Sequence, residues 1–134
     1  MPGYEMVGWA LPAREMGGDF YDFIPLGEAR WGVALGDVAG TGLPAALYMV
    51  VAKSLLWPLA TEGLNPSQVL ERLNHLLAQV APVEMFISLL YGVVDIQRHL
   101  FRYANGGHWP PLLVRPRGEV EWLGARGRVL GVGD

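Results

Sequence analysis

Strand-length segments cluster at both ends of this 134-residue sequence, and two helix-length segments lie between the clusters. The predicted strands are residues 5–11, 18–26 and 30–38 before the helices, then 86–95, 99–104, 112–115 and 120–123 after them. Clustered rather than alternating elements favour an α+β fold with antiparallel sheet, because parallel strands need a crossover connection between them. We therefore predict two antiparallel sheets that stack as a sandwich, with the helices outside.

The composition excludes several classes of protein. The chain is 51% hydrophobic and 17% charged, which suits one folded domain with a sizeable core. A net charge of -3 without any cluster of Lys or Arg argues against nucleic-acid binding. The lack of Cys excludes thiolate catalysis, disulfides and Cys-based zinc sites. The N-terminus has no basic region followed by an apolar stretch, so we expect no signal peptide and a cytoplasmic location.

The most apolar segment, residues 43–60, is nearly long enough to span a membrane. Lys53 lies in its middle and Pro58 near its end, so we predict a helix buried in protein and no membrane span. A helix that is apolar on every side is buried on every side. One face must meet the sheet. The other meets either the second helix or a second subunit or sensor domain, and both alternatives stay open.

The second helix carries clear start signals. Asn65 is a predicted N-cap, Pro66 takes the first helical position, and Gln68 can complete a capping box. For the first helix, Thr41 is the predicted N-cap and Trp57 the approximate end. Apolar residues at helical spacing in the second helix predict a buried stripe of Val69, Leu73, Leu76, Leu77 and Val80.

A three-residue loop, Gly27-Glu28-Ala29, is predicted to join two strands as a hairpin. This loop length places Asp19 directly opposite Asp37, with Cβ atoms about 4.5–5.5 Å apart. Two carboxylates at that distance repel each other, and a divalent cation such as Mg²⁺ or Mn²⁺ would neutralise them. Two alternatives stay open. A loop of a different length would turn Asp19 to the other face, and aspartates are also common turn and cap residues at strand ends.

Other polar residues are weaker candidates for a site at these strand ends. Asp22 should face the opposite side of its strand, as a supporting or surface group. Glu15 could approach the site, although a solvated loop carboxylate is the simpler interpretation. His108 lies in a Gly/Pro-rich loop and is interpreted as a hydrogen-bond anchor, with metal or phosphate binding as the alternative. Ser88 lacks the Gly-x-Ser-x-Gly setting of a hydrolase nucleophile, and residues 36–42 lack the Lys of a P-loop.

Four motifs occur in order along the chain. They are GGDFYD at 17–22, GDVAGTG at 36–42 followed by PAA at 44–46, YANGGH at 103–108 followed by PPLL at 110–113, and LG at 130–131. Together they resemble the bacterial PP2C-like (PPM) serine/threonine phosphatases, most closely the SpoIIE/RsbU branch. The resemblance covers nearly the whole chain. It implies a PP2C-like sandwich of two antiparallel β-sheets flanked by α-helices.

The resemblance also implies a site and a chemistry. Asp19 matches the family's first metal-bridging aspartate, Asp37 matches the aspartate of the second motif, and Val38 stands where the family uses a backbone carbonyl as a ligand. Two Mn²⁺ or Mg²⁺ ions would hold a water that attacks phosphoserine or phosphothreonine in line. The implied substrate is a phosphorylated STAS-domain anti-anti-sigma factor. The resemblance also implies a preceding sensor domain. A second copy of the chain is a further expected partner, because strands missing from the domain would leave a sheet edge and apolar surface open.

The sequence departs from the family pattern towards its end. The family domain continues through a strand that ends in Thr-Asp-Gly and a later aspartate, and both supply metal ligands. After Asp95 the acidic residues are Glu119, Glu121 and Asp134, and none matches. We therefore expect residues 1–134 to be the N-terminal and central part of the phosphatase domain, with weak metal binding and little activity alone. The alternative is a non-catalytic regulatory or dimerisation module that keeps the fold.

Overall fold

The structure is a computed structural model that describes residues 3–11, 18–40, 42–81, 84–124 and 126–132. Its elements are, in chain order, β1 (Asp19–Pro25), β2 (Arg30–Val38), α1 (Gly42–Ala60), α2 (Pro66–Val80), β3 (Ile87–Asp95), β4 (Leu100–Gly106), β5 (Leu112–Val114) and β6 (Val120–Trp122). All the strand pairs between these elements are antiparallel. The predicted α+β fold class with antiparallel sheets and flanking helices is confirmed.

The first four strands form one sheet in the order β1-β2-β3-β4. The hairpin between β1 and β2 has the predicted three-residue loop, since the backbone N of Leu26 donates to the carbonyl of Arg30 at 3.1 Å. Gly27 and Ala29 take positive φ angles of 110° and 64° in this turn. Strand pairing places β2 and β3 inside the sheet, whereas β1 and β4 are its outer strands.

The helices cover one side of this sheet, which we call the helix face. α1 packs over β1 and β2, and α2 packs over β3 and β4. In its middle, β2 presents only Gly32, Ala34 and Gly36 to the helix face. A Cβ at Gly36 would lie 2.6 Å from the ring of Phe20 and 3.1 Å from Leu89. The small residues of β2 therefore make room for large side chains from the strands on either side.

The opposite side of the sheet, which we call the open face, carries partly exposed apolar side chains. Tyr21 is 37% exposed, Leu35 46% and Phe101 38%. The rings of Phe101 and Tyr103 contact each other with centroids 5.5 Å apart. The β5–β6 hairpin lies apart from the other strands and helices. The described residues therefore contain one sheet packed against helices and one projecting hairpin.

α1 ends at Ala60 rather than near Trp57, with Pro58 inside the helix. Among the described residues it is the one helix that is long and apolar enough, by length and composition, to cross a membrane. The predicted N-cap, Thr41, lies outside the described residues. The side chains buried against the sheet and α2 are Ala45, Tyr48, Ala52, Leu56, Leu59 and Ala60.

A strip of apolar side chains on α1 remains exposed. It consists of Leu43, Leu47, Val50, Val51 and Trp57. The second helix packs against α1, as one alternative predicted. It covers only part of the surface that the sheet leaves free, so burial on every side is not reached among the described residues.

The predicted start of α2 is confirmed. The side-chain oxygen of Asn65 accepts from the backbone N of Gln68 at 3.0 Å, and the side chain of Gln68 accepts from the backbone N of Asn65 at 3.2 Å. Pro66 occupies the first turn. This capping box satisfies N–H groups that a helix start leaves without partners.

The buried stripe of α2 differs from the prediction at its end. Val80 is 58% exposed, because the helix ends there and Ala81 is extended. Leu76 is only partly buried. The fully or largely buried side chains of α2 are Val69, Leu70, Leu73 and Leu77.

Residues 5–11 do not form the predicted strand. Their alternating apolar side chains point to solvent, with Val7 78%, Trp9 77% and Leu11 76% exposed. No described strand pairs with this segment. Apolar and aromatic residues alone do not specify a strand, because a strand also needs a neighbour that accepts its backbone hydrogen bonds. Gly8 instead lies against the ring of Tyr21 on the open face.

The last described segment, residues 126–132, returns to the core. Leu130 and Ile87 exchange backbone hydrogen bonds of 2.7 and 3.0 Å. The backbone N of Gly131 donates to the side-chain oxygen of Asn74 on α2 at 2.8 Å. These contacts tie the segment to both β3 and α2.

Candidate functional site

Asp19 and Asp37 face each other at the end of the β1–β2 hairpin that is remote from the loop. They are direct partners in the observed register, so the predicted pairing is confirmed. Both side chains are exposed and lie on the open face, two residues along from Tyr21 and Leu35. The short loop fixes this register, because changing the loop length by one residue would move one carboxylate to the helix face.

The two carboxyl groups strongly influence each other. Partial burial, a side-chain hydrogen bond to Asp19 and the charge of Asp19 together raise the pKa of Asp37 from 3.8 to about 6. Each of these causes disfavours the charged form of Asp37, so the two carboxyl groups repel each other when both carry charge. A bound cation would remove this repulsion, which identifies the pair as a candidate cation site.

The donors at this position suit a hard cation. Two carboxylates and a backbone carbonyl are oxygen ligands of the kind that Mg²⁺ and Mn²⁺ prefer. The described residues contain no cluster of three or more His, Cys, Asp or Glu side chains that could hold a metal ion. Asp19, Asp37 and the carbonyl of Val38 therefore fit a cation that keeps several water ligands.

The backbone around Val38 is closely packed against β1. Its N–H donates to the carbonyl of Gly18 at 3.1 Å, and the next N–H, of Ala39, donates to Phe86 at 2.8 Å. A Cβ at Gly18 would lie 2.8 Å from the carbonyl oxygen of Val38. Gly18 thus leaves space for the carbonyl that the family resemblance assigns to the metal.

Replacing Gly18 with Ala is expected to weaken Mn²⁺ binding several-fold and to lower stability by about 1–3 kcal/mol. The added methyl group must displace either the Val38 carbonyl or the start of β1. Calorimetric titration with Mn²⁺ and urea unfolding would measure the two effects. Gly124→Ala is the matched control, since no atom lies within 4 Å of the added Cβ and both values should stay unchanged.

Asp22 lies on the same strand but on the helix face. Its carboxylate accepts hydrogen bonds from the indole N–H of Trp57 on α1 and, at 3.0 Å, from the backbone N of Phe23. The prediction that it faces away from Asp19 is confirmed, and it joins β1 to α1. Glu15, the other acidic candidate, lies outside the described residues.

Ser88 and His108 lie beside the aspartate pair, which the sequence analysis did not foresee. Ser88 is the direct partner of Asp37 in the β2–β3 register. Its hydroxyl hydrogen-bonds Nδ1 of His108 at 2.9 Å. The side chain of Asn105 clamps the backbone of His108, accepting from its N at 2.7 Å and donating to its carbonyl at 2.8 Å. Asn105 thus fixes the backbone of His108, and the His108 ring adds only the hydrogen bond to Ser88.

Burial holds the pKa of His108 below its ordinary value of 6.5, while a hydrogen bond to Ser88 and the charge of Asp19 offset part of this effect. Its imidazole is therefore neutral at pH 7. The influence of Asp19 shows that the ring lies close enough to sense the carboxylate pair.

Comparison with known proteins places this chain in a family. The sequence profile of the family described as Stage II sporulation protein E (SpoIIE) matches residues 27–134. Phosphoserine phosphatase RsbU of Bacillus subtilis (strain 168) is 37% identical over 124 residues, which cover 92% of this chain and 37% of that protein. Phosphoserine phosphatase RsbP of the same organism is 29% identical over 124 residues, covering 90% of this chain and 31% of that protein.

Solved structures show the same fold. The RsbU and RsbW domains of Rv1364c from Mycobacterium tuberculosis superpose with a TM-score of 0.79 at 28% identity, covering 91% of this chain and 35% of that one. The PP2C phosphatase domain of SpoIIE from Bacillus subtilis gives 0.75 at 21% identity, covering 87% and 34%. RsbX in complex with magnesium gives 0.68 at 20% identity, covering 91% and 58%.

The chain spans only 37% and 31% of the length of RsbU and RsbP, although it aligns over 92% and 90% of its own residues. The profile match begins at residue 27, in the loop before β2. It therefore includes Asp37 but not Asp19. The chain belongs to the SpoIIE family.

Proposed function

We propose that this chain forms the N-terminal and central part of a metal-dependent protein serine/threonine phosphatase domain. The observation that carries the proposal is the pairing of Asp19 with Asp37 at the exposed end of a hairpin, in a chain of the SpoIIE family. RsbU and RsbP are both named phosphoserine phosphatases, which supports phosphoserine as the residue from which the phosphoryl group is removed.

In this proposal Asp19, Asp37 and the carbonyl of Val38 hold Mn²⁺ or Mg²⁺. A divalent cation there supplies two effects: it lowers the pKa of a coordinated water and neutralises phosphoryl oxygens. The structure of RsbX in complex with magnesium supports a divalent cation in the same fold. The protein's own contribution is to orient the two carboxylates through the hairpin register.

The proposed substrate is a phosphorylated regulatory protein of the STAS-domain type. The names RsbU and SpoIIE among the relatives support a regulatory setting of this kind. Among the described residues, the open face carries no cluster of Lys or Arg side chains that would attract nucleic acid. A protein substrate therefore fits the surface better than a nucleic acid.

The test is release of inorganic phosphate from a phosphoserine protein by the purified chain, at increasing Mn²⁺ concentrations. We expect slow release, because few protein carboxylates hold the cation. Release should stop with EDTA and in the Asp37→Asn variant. Hydrolysis that survives EDTA would contradict the metal-dependent mechanism, and fast hydrolysis would contradict the expected weak metal binding.

A second candidate function is a non-catalytic regulatory or dimerisation module. The exposed apolar strip on α1 favours it, because single-chain proteins seldom expose contiguous apolar surface of this kind. A partner for this strip would be a second copy of the chain or a sensor domain. Complete absence of phosphate release at every Mn²⁺ concentration would favour this function over the enzyme.

A further inference from the structure

A row of polar side chains crosses the sheet at the end that carries the aspartates. Asp19 on β1 is the register partner of Asp37 on β2, and Asp37 is the register partner of Ser88 on β3. Residues paired across neighbouring strands point to the same face, with Cβ atoms about 4.5–5.5 Å apart. His108 continues the row through its 2.9 Å hydrogen bond to the Ser88 hydroxyl. The aspartate pair is therefore bordered on one side by a hydroxyl and an imidazole.

The imidazole of His108 is not needed to hold its loop. Asn105, which is 7% exposed, already binds both the backbone N and the backbone carbonyl of His108. The positive φ of Gly107, 76°, gives the preceding turn its shape. Within the described residues, the ring makes a hydrogen bond through Nδ1 to Ser88 and none through Nε2. The side chains of Ser88 and His108 are thus held by their mutual hydrogen bond, while Asn105 is the main anchor of the loop.

The pair offers one free hydrogen-bond donor in either neutral tautomer of the imidazole. If Nδ1 carries the proton, it donates to the Ser88 oxygen, and the Ser88 hydroxyl hydrogen is free to donate elsewhere. If Nε2 carries the proton, the Ser88 hydroxyl donates to Nδ1, and Nε2 of His108 is the free donor. A neutral donor beside two carboxylates and their cations is suited to an anionic oxygen, not to the cation itself.

We infer that Ser88 and His108 form a contact for a phosphoryl oxygen of the phosphomonoester, next to the aspartate pair. This inference rests on the proposed phosphatase function and names further residues of its substrate site. The shared chemistry is a phosphoryl group, which inorganic phosphate and a phosphoserine peptide both carry. The hydrogen bond goes to an oxygen that bears negative charge, and such bonds contribute more than neutral ones.

The test measures binding of inorganic phosphate, and separately of a phosphoserine peptide, to the Mn²⁺-loaded chain by calorimetry. Ser88→Ala and His108→Ala should each weaken binding of both probes about tenfold or more, as expected for loss of a hydrogen bond to a charged oxygen. The Mn²⁺ affinity without phosphate should change less than about twofold, because neither side chain is among the proposed cation ligands. This difference separates a phosphoryl contact from a general structural role.

Two further variants locate the free donor. His108→Asn keeps a polar atom near the position of Nδ1, and His108→Gln keeps one near Nε2. Binding restored by either variant supports the contact. His99→Ala is the matched control, since His99 lies at the opposite end of the sheet, where it contacts the hydroxyl of Tyr4. It should bind both probes as the wild type does.

The inference is overturned if Ser88→Ala and His108→Ala bind phosphate like the wild type. An equal loss of Mn²⁺ affinity in both variants, or a loss confined to the peptide, would also overturn it. If one variant fails to fold, the other carries the test. A wild-type chain that binds no Mn²⁺ would overturn the proposed function as well, whereas Mn²⁺ binding with unaltered phosphate binding in the variants removes only this inference.

Discussion

Replacing Asp37 with Asn is expected to stabilise the metal-free chain and, at the same time, to weaken its binding of Mn²⁺. The folded-state pKa of Asp37, about 6, lies above its ordinary value of 3.8. Between these values the folded chain binds more protons than the unfolded chain, so stability falls as pH rises through this window. At pH 7 the cost is fully present, and Asn removes it. Solvent screens this exposed pair, so we expect a gain of about 1 kcal/mol.

The same variant should lose at least about tenfold in Mn²⁺ affinity, because one of two carboxylate ligands is gone. Thermal unfolding at pH 4 to 7 and calorimetric titration measure the two effects. The metal-free wild type should become less stable across this pH range, and Asp37→Asn should show a flatter response. Added Mn²⁺ should then raise the unfolding temperature of the wild type more than that of the variant.

Asp22→Asn is the matched control, because Asp22 lies on β1 but faces the helices and accepts a hydrogen bond from Trp57. It should keep the wild-type Mn²⁺ affinity. Equal Mn²⁺ affinity in the wild type and in Asp37→Asn would remove Asp37 from the cation site. A metal-free Asp37→Asn chain that is less stable than the wild type would contradict the repulsion between the two carboxylates.

Replacing Leu73 with Ala should destabilise the fold by about 3 kcal/mol. Leu73 has no exposed surface and lies where α2 packs on the sheet, so truncation leaves a cavity that rigid neighbours cannot fill. A domain of this size has about 5–15 kcal/mol of stability in total, so the loss is a large fraction of it. Urea unfolding, read by circular dichroism, measures the change in the free energy of unfolding.

Val80→Ala on the same helix is the control for this experiment. The apolar periodicity placed both residues in one stripe, but Val80 is 58% exposed. Its truncation should change the free energy of unfolding by less than about 0.5 kcal/mol. Similar losses for the two variants would mean that the end of α2 is buried, contrary to the structure.

Features set by short segments of chain could be predicted from the sequence. The three-residue loop determined that Asp19 faces Asp37, because a tight turn leaves no freedom in the pairing register. The capping box of α2 could also be predicted from the sequence, because Asn65 and Gln68 lie three positions apart. In each case the partners are close in the chain and the backbone geometry decides the outcome.

Features set by distant pairing could not be predicted. Asp37 and Ser88 are neighbours only because β3 pairs with β2 after two intervening helices, and no local signal specifies that register. The contact between Ser88 and His108 depends on the same pairing and on the next one. A signal was present in the polar Ser88 at the start of an apolar strand, but its meaning needed the sheet.

Residues 5–11 show the converse error. Their apolar and aromatic residues favour a strand, yet no described strand offers the backbone partner that a strand requires. Gly8 lies against the ring of Tyr21 because it has no side chain. The spacing of apolar residues in the sequence gives no information about such a contact.

The two aspartates differ in how firmly the sheet holds them. Asp37 belongs to β2, which is hydrogen-bonded to a strand on each side, whereas Asp19 belongs to β1, whose outer edge has no partner among the described residues. Backbone amides of an inner strand exchange their hydrogens with solvent mainly when the whole sheet opens. An outer strand can separate from the sheet alone. We therefore expect Asp37 to keep its position in the sheet, whereas Asp19 moves whenever β1 loosens. Because both carboxylates are exposed, a cation can reach them from solvent, and loosening of β1 alone would separate the pair without unfolding of the domain.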